Sequence, residues 1–79
     1  MSNPHRQALD LVQSDHWDQA HKLIQQYSDP LACLIHGYLH LQEGDTGNAQ
    51  YWYTRAKQKL PAHSLQQEFD RLSRLADAS

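Results

Sequence analysis

The feature that most limits how this chain can fold is its punctuation. Cap and stop residues cut it into five short segments, each with apolar side chains at helical spacing. Asn3-Pro4 pairs an N-cap with proline at the first helical position, where the missing N–H costs nothing. Ala8, Leu9, Leu11 and Val12 then form the apolar side of a first helix. Ser14-Asp15 ends it and is expected to cap a second, in which Trp17, Ala20, Leu23, Ile24 and Tyr27 recur at three and four residues. Asp29-Pro30 repeats the opening signal for a third helix that is apolar nearly all round: Leu31, Leu34, Ile35, Tyr38, Leu39 and Leu41. Such a helix belongs in the middle of a structure.

Gly44 stops the third helix, and Asp45 or Thr46 starts a fourth with Ala49, Trp52, Tyr53, Ala56 and Leu60 in phase. Lys57 and Lys59 are expected in its last turn, where the helix dipole favours cations, and Pro61 closes it. Ser64 with Gln67 makes a capping box for a fifth helix carrying Leu65, Phe69, Leu72, Leu75 and Ala76. Short connections make successive helices antiparallel neighbours. The spacing therefore predicts an all-α domain without strands: a hairpin at about 4–27, a second at about 30–60, and a C-terminal capping helix at about 64–77.

Seventy-nine residues make one domain, residues 1–79. A chain this small buries only about 60% of its unfolded surface. Small domains often add a staple, and the single Cys33 rules out an internal disulfide. A lone thiol in an apolar run fits a reducing compartment, so the cytoplasm is the expected location. Seven basic and nine acidic residues are scattered without blocks, which argues against nucleic acid as a partner. Asp10 interrupts the opening segment, which does not read as a secretory signal. The apolar-rich run from Leu31 to Leu41 is broken by His36 and His40 and falls short of the ~20 residues that a membrane span needs.

Small residues recur at matched places. Ala8 precedes Ala20 by twelve residues, and Gly37 precedes Ala49 by twelve. A small residue on each helix at the crossing lets two backbones approach closely. The stretch from Gly37 to Pro61, with Gly37, Gly44-Asp45, Ala49, Tyr53, Ala56 and Pro61, resembles a tetratricopeptide motif. Ala8, Leu11, Trp17, Ala20 and Ile24 make a weaker copy in which Tyr27 replaces a small residue. The copies are offset by 29 residues, short of the usual 34 or so. The run YLHLQEGD…NAQYWYTRA also resembles a stretch in short microbial proteins, and that resemblance brings no activity.

The tetratricopeptide resemblance implies a right-handed superhelical stack that acts as a protein–protein interaction scaffold through the face lined by each hairpin's first helix. On this sequence that face is Leu9, Val12, Leu31, Leu34, Tyr38, Leu41 and Gln42. Left open to water, so apolar a surface marks an interaction site, for self-association into a homodimer or for an unknown partner protein. The alternative is that the shortened repeat buries these side chains as core.

A polar stripe interrupts the third helix. Cys33, His36, His40 and Glu43 fall at intervals of three, four and three residues and so share one side. Histidines four apart can grip a metal through their imidazole nitrogens. Here no glutamate stands between them and no second cysteine accompanies them, so the expectation is no metal and no cofactor. Asn48, Tyr51 and Arg55 share a face of the fourth helix. Opposite the stripe they would complete a small polar ligand site of His36, His40, Glu43, Asn48, Tyr51 and Arg55, with Arg55 favouring a carboxylate or phosphate. The alternative pairs Arg55 with Glu43 or Asp45 across the hairpin. Ser14, Ser28 and Ser64 read as helix caps, and no catalytic residue is expected.

Overall fold

The computed structural model describes residues 3–78. Among these the chain forms five helices and no strand: α1 Pro4–Gln13, α2 Trp17–Ile24, α3 Pro30–Gln42, α4 Thr46–Arg55 and α5 Leu65–Ala78. Side-chain caps start four of them. Asn3 accepts from the Arg6 N–H, Asp29 from the Ala32 N–H, and Asp45 from the Asn48 N–H. Ser64 and Gln67 form a reciprocal capping box on α5, with Ser64 Oγ accepting from the Gln67 N–H and Gln67 Oε1 from the Ser64 N–H.

The exception is α2. Its N-cap is His16, whose side chain makes no capping bond, so Ser14-Asp15 does not start this helix. Ser14 is instead the C-cap of α1, and Asp15 takes a left-handed conformation at φ 65°. Gly44 and Lys57 do the same after α3 and α4, at φ 80° and 62°. Each of the three turns closes with the same pair of bonds. Asp15 donates to the Val12 carbonyl and His16 to Leu11; Gly44 donates to Leu41 and Asp45 to His40; Lys57 donates to Thr54 and Gln58 to Tyr53. This is the Schellman ending, which satisfies carbonyls that the helix leaves orphaned. It also corrects an expectation, because Lys57 and Lys59 lie past the end of α4 rather than in its last turn.

Helices α1 and α2 pack on one another, as do α3 and α4. The close approach within the second pair is direct: a β-carbon added to Gly37 would lie 3.2 Å from the Ala49 carbonyl oxygen and 2.6 Å from the Tyr53 ring. Ala8 and Ala20 are both fully buried in the first pair. The central helix is α3, which packs against all four others, and every residue from Ala32 to His40 is buried.

Helix α5 does more than finish the chain. It packs across both α1 and α3. Leu72 and Ala76 are buried there, Phe69 meets the ring of Tyr38, and Arg6 reaches Asp77 at 3.4 Å. Much of the face of α1 and α3 that the sequence offered as a partner surface is buried within the chain, with Tyr38 against Phe69 of α5. Leu9, Leu34 and Tyr38 are buried, Val12, Leu31 and Leu41 are partly buried, and Gln42 is exposed. Leu65 and Leu75, expected on the apolar side of α5, remain 44% and 40% exposed.

Candidate histidine–tryptophan site

The polar stripe of α3 meets α2. Its residues His36 and His40 are buried to 5% and 7% exposure, and α2 brings His21 against them. His21 follows Ala20, the fully buried residue of α2, so docking of the first hairpin carries its imidazole to α3. The Nε2 atoms of His21 and His36 face one another at 3.0 Å. One ring nitrogen from each of His21, His36 and His40 lies within 4.8 Å of the others.

Two tryptophans wall the cluster. Trp17, one turn before His21, stacks on it with centroids 5.0 Å apart and meets His40 edge-on at 6.2 Å. Its indole N–H donates to the Leu39 carbonyl at 2.9 Å, which fixes the ring against α3. From α4, Trp52 stacks on His36 with centroids only 3.9 Å apart. The Arg55 guanidinium covers Trp52 at 4.9 Å and Tyr51 at 5.8 Å, a cation–π arrangement on the outer side.

Electrostatics follow from this enclosure. Burial disfavours the charged imidazole, and His21, His40 and Arg55 add like-charge repulsion, so His36 falls to about 4 and is neutral at pH 7. His21 is lowered for the same first reason, burial, with His40 next. His40 is oriented from the other side, with Nδ1 2.6 Å from Glu43 Oε1. A carboxylate only accepts, so Nδ1–H is the donor and a neutral His40 keeps its lone pair on Nε2. Among the described residues the buried His36 Nδ1 has no hydrogen-bond partner.

Of the six residues proposed from sequence, His36, His40 and Glu43 come together as expected. Arg55 and Tyr51 touch the cluster through Trp52, as its outer cover, while the Arg55 charge is also felt at His36. Asn48 does not belong to it; its amide donates to Asp45 and serves the start of α4. Among the described residues no ion pair joins Arg55 to Glu43 or Asp45. Cys33 also leaves the group, since its thiol points to the Ser28 carbonyl at 3.6 Å, and burial pushes its pKa up. The residues missed were His21 and Trp17. They stand four apart on α2, the same interval as His36 and His40 on α3, and that match was the available signal.

Beside Trp17 and Glu43 lies an open cleft of about 290 Å³, lined also by Val12, Asp15 and Gln42. Glu43 thus stands between the buried imidazoles and solvent. Nothing in the cluster supplies a nucleophile with an activating base, and its chemistry is that of nitrogen lone pairs held between aromatic faces. Compared with known protein families, curated proteins and solved structures, the chain matches none.

Proposed function

We propose that this chain is a non-catalytic binding protein whose working site is the histidine–tryptophan cluster between α2, α3 and α4. One observation carries the reading: three imidazoles from two separate hairpins converge to within 4.8 Å, two of them buried. Buried polar groups are normally matched by protein partners. Here His21 Nε2 and His36 Nε2 are hydrogen-bonded to each other, but the buried His36 Nδ1 has no partner among the described residues. An apolar filling of the same space would avoid that orphaned nitrogen, so three buried or half-buried imidazoles placed together favour a ligand role.

The framework in this reading is a tetratricopeptide-like stack of two hairpins, supported by the buried small residues at both crossings and by the close approach of Gly37 to α4. The test is a histidine-selective NMR titration of the untagged protein with small anions and divalent cations. Movement of the His21 and His40 side-chain resonances, with a matching rise in melting temperature, is the expected result. If no member of either class moves them, the reading fails.

A second reading keeps the assembly role that the tetratricopeptide likeness implies. Its support is the apolar face of α1 and α3, continuous through Leu9, Leu34 and Tyr38. A protein partner or a second copy would reach that face only by displacing α5.

A further inference from the structure

We propose that His21, His36 and His40 bind one divalent transition-metal ion of the zinc class, through His21 Nε2, His36 Nε2 and the His40 nitrogen that Glu43 leaves free. This rests on the ligand-site reading above and names its ligand. The distances fit. Zinc–nitrogen bonds of about 2.0–2.1 Å at tetrahedral angles set ligand nitrogens about 3.3 Å apart. The Nε2 atoms of His21 and His36 stand at 3.0 Å, and one ring nitrogen from each of the three histidines lies within 4.8 Å of the others. From a separation of at most 4.8 Å, a shift of no more than about 1.5 Å closes the set.

The donor chemistry selects the ion. Neutral imidazoles suit zinc, copper, nickel and cobalt, whereas calcium and magnesium ask for oxygen ligands. Glu43 supplies what metal-binding histidines commonly have, a carboxylate on the far nitrogen that fixes the tautomer and aims the lone pair. His36 lacks such a support, since its Nδ1 has no acceptor. The missing acceptor weakens binding by about 10–100-fold relative to a fully supported site. Three protein ligands leave a fourth position for water or a small anion.

The placement also meets a structural need. His21 belongs to the first hairpin, His36 and His40 to the second. One ion would therefore cross-link the two hairpins, a staple that a single cysteine cannot provide.

The test uses the untagged, chelator-treated full chain at pH 7.5, titrated separately with Co²⁺ and Zn²⁺. Expected are visible Co²⁺ absorption bands of a four-coordinate nitrogen-rich site, one ion per chain, and a melting temperature raised by about 5 °C or more with Zn²⁺. His21→Ala, at the partly exposed member, should weaken binding at least tenfold or so, and Glu43→Gln about tenfold. His63→Ala, outside the cluster, should bind like the parent. The proposal is overturned if Co²⁺ gives no such bands and Zn²⁺ no rise, or if His21→Ala binds as tightly as the parent. Should small anions move the His21 and His40 resonances while both metals do not, the metal is excluded and the ligand site survives. If neither class moves them, both fall together.

Discussion

Tyr53 donates its phenol hydrogen to Glu68 Oε2 across 2.6 Å, and both side chains are fully buried. Helices α4 and α5 have no backbone packing of their own, so this bond ties them. The same carboxylate accepts from Arg71 at 2.9 and 2.8 Å and lies 2.7 Å from His63 Nε2. Removing Glu68 strands a buried phenol and a guanidinium together. Glu68→Ala should therefore cost about 3–5 kcal/mol, and Tyr53→Phe about 1–2 kcal/mol. Urea denaturation of both variants checks the order.

The same carboxylate sets a pH dependence. Burial pushes Glu68 up, but hydrogen bonds from Arg71, Tyr53 and His63 outweigh it and hold the folded-state value at about 2, against 4.5 ordinarily. A depressed acid stabilises the fold above its unfolded pKa and loses that contribution as pH falls toward the folded one. Stability should thus drop by about 3 kcal/mol between pH 4.5 and 2 on this group's account. Denaturation curves across that range should be measurably flatter in pH for Glu68→Gln than for the parent.

Two glycines should respond with opposite signs. Alanine at Gly37 would drive a methyl to 2.6 Å from the Tyr53 ring, which Glu68 pins in place. The overpacking should exceed the gain in helix propensity and leave a net loss of about 1–3 kcal/mol. Gly47 sits in the first turn of α4 with nothing within 4 Å of an added β-carbon, so Gly47→Ala should gain about 0.5 kcal/mol. Parallel thermal melts compare them.

Helix α5 should act as the cover of the α1–α3 face. Its own Leu72 is fully buried, and Leu72→Asp places a charge in that seam. Detachment of α5 would uncover Leu9, Leu34 and Tyr38. The variant should bind a hydrophobic dye and show a larger mass by light scattering than the parent at equal concentration. A variant with unchanged dye binding and mass would mean that the face stays closed without α5.

The helices themselves were legible because their caps are chemical. Asn3, Asp29, Asp45 and Ser64 each make the side-chain bond their position implies, and Gly44 stops α3 as a glycine should. The end of α1 at Ser14-Asp15 was legible too, whereas the end of α4 was not, since Lys57 takes the left-handed place without the glycine that advertises it. Half the site was legible, because His36, His40 and Glu43 lie on one helix and periodicity alone aligns them. His21 and Trp17 depend on how α2 is rotated against α3, a tertiary fact that spacing along one helix does not encode. The cover by α5 was obscured for a related reason. Phe69, Leu72 and Ala76 declare an apolar edge but not which neighbour it meets.

The chain holds two tryptophans, and each rests on an imidazole of the cluster, Trp17 on His21 and Trp52 on His36. Ultraviolet emission is therefore a label-free gauge of the site, since any change in protonation or occupancy of those rings happens against an indole face. A paramagnetic ion seated there would darken both at once, whereas unfolding of α5 alone would leave them lit.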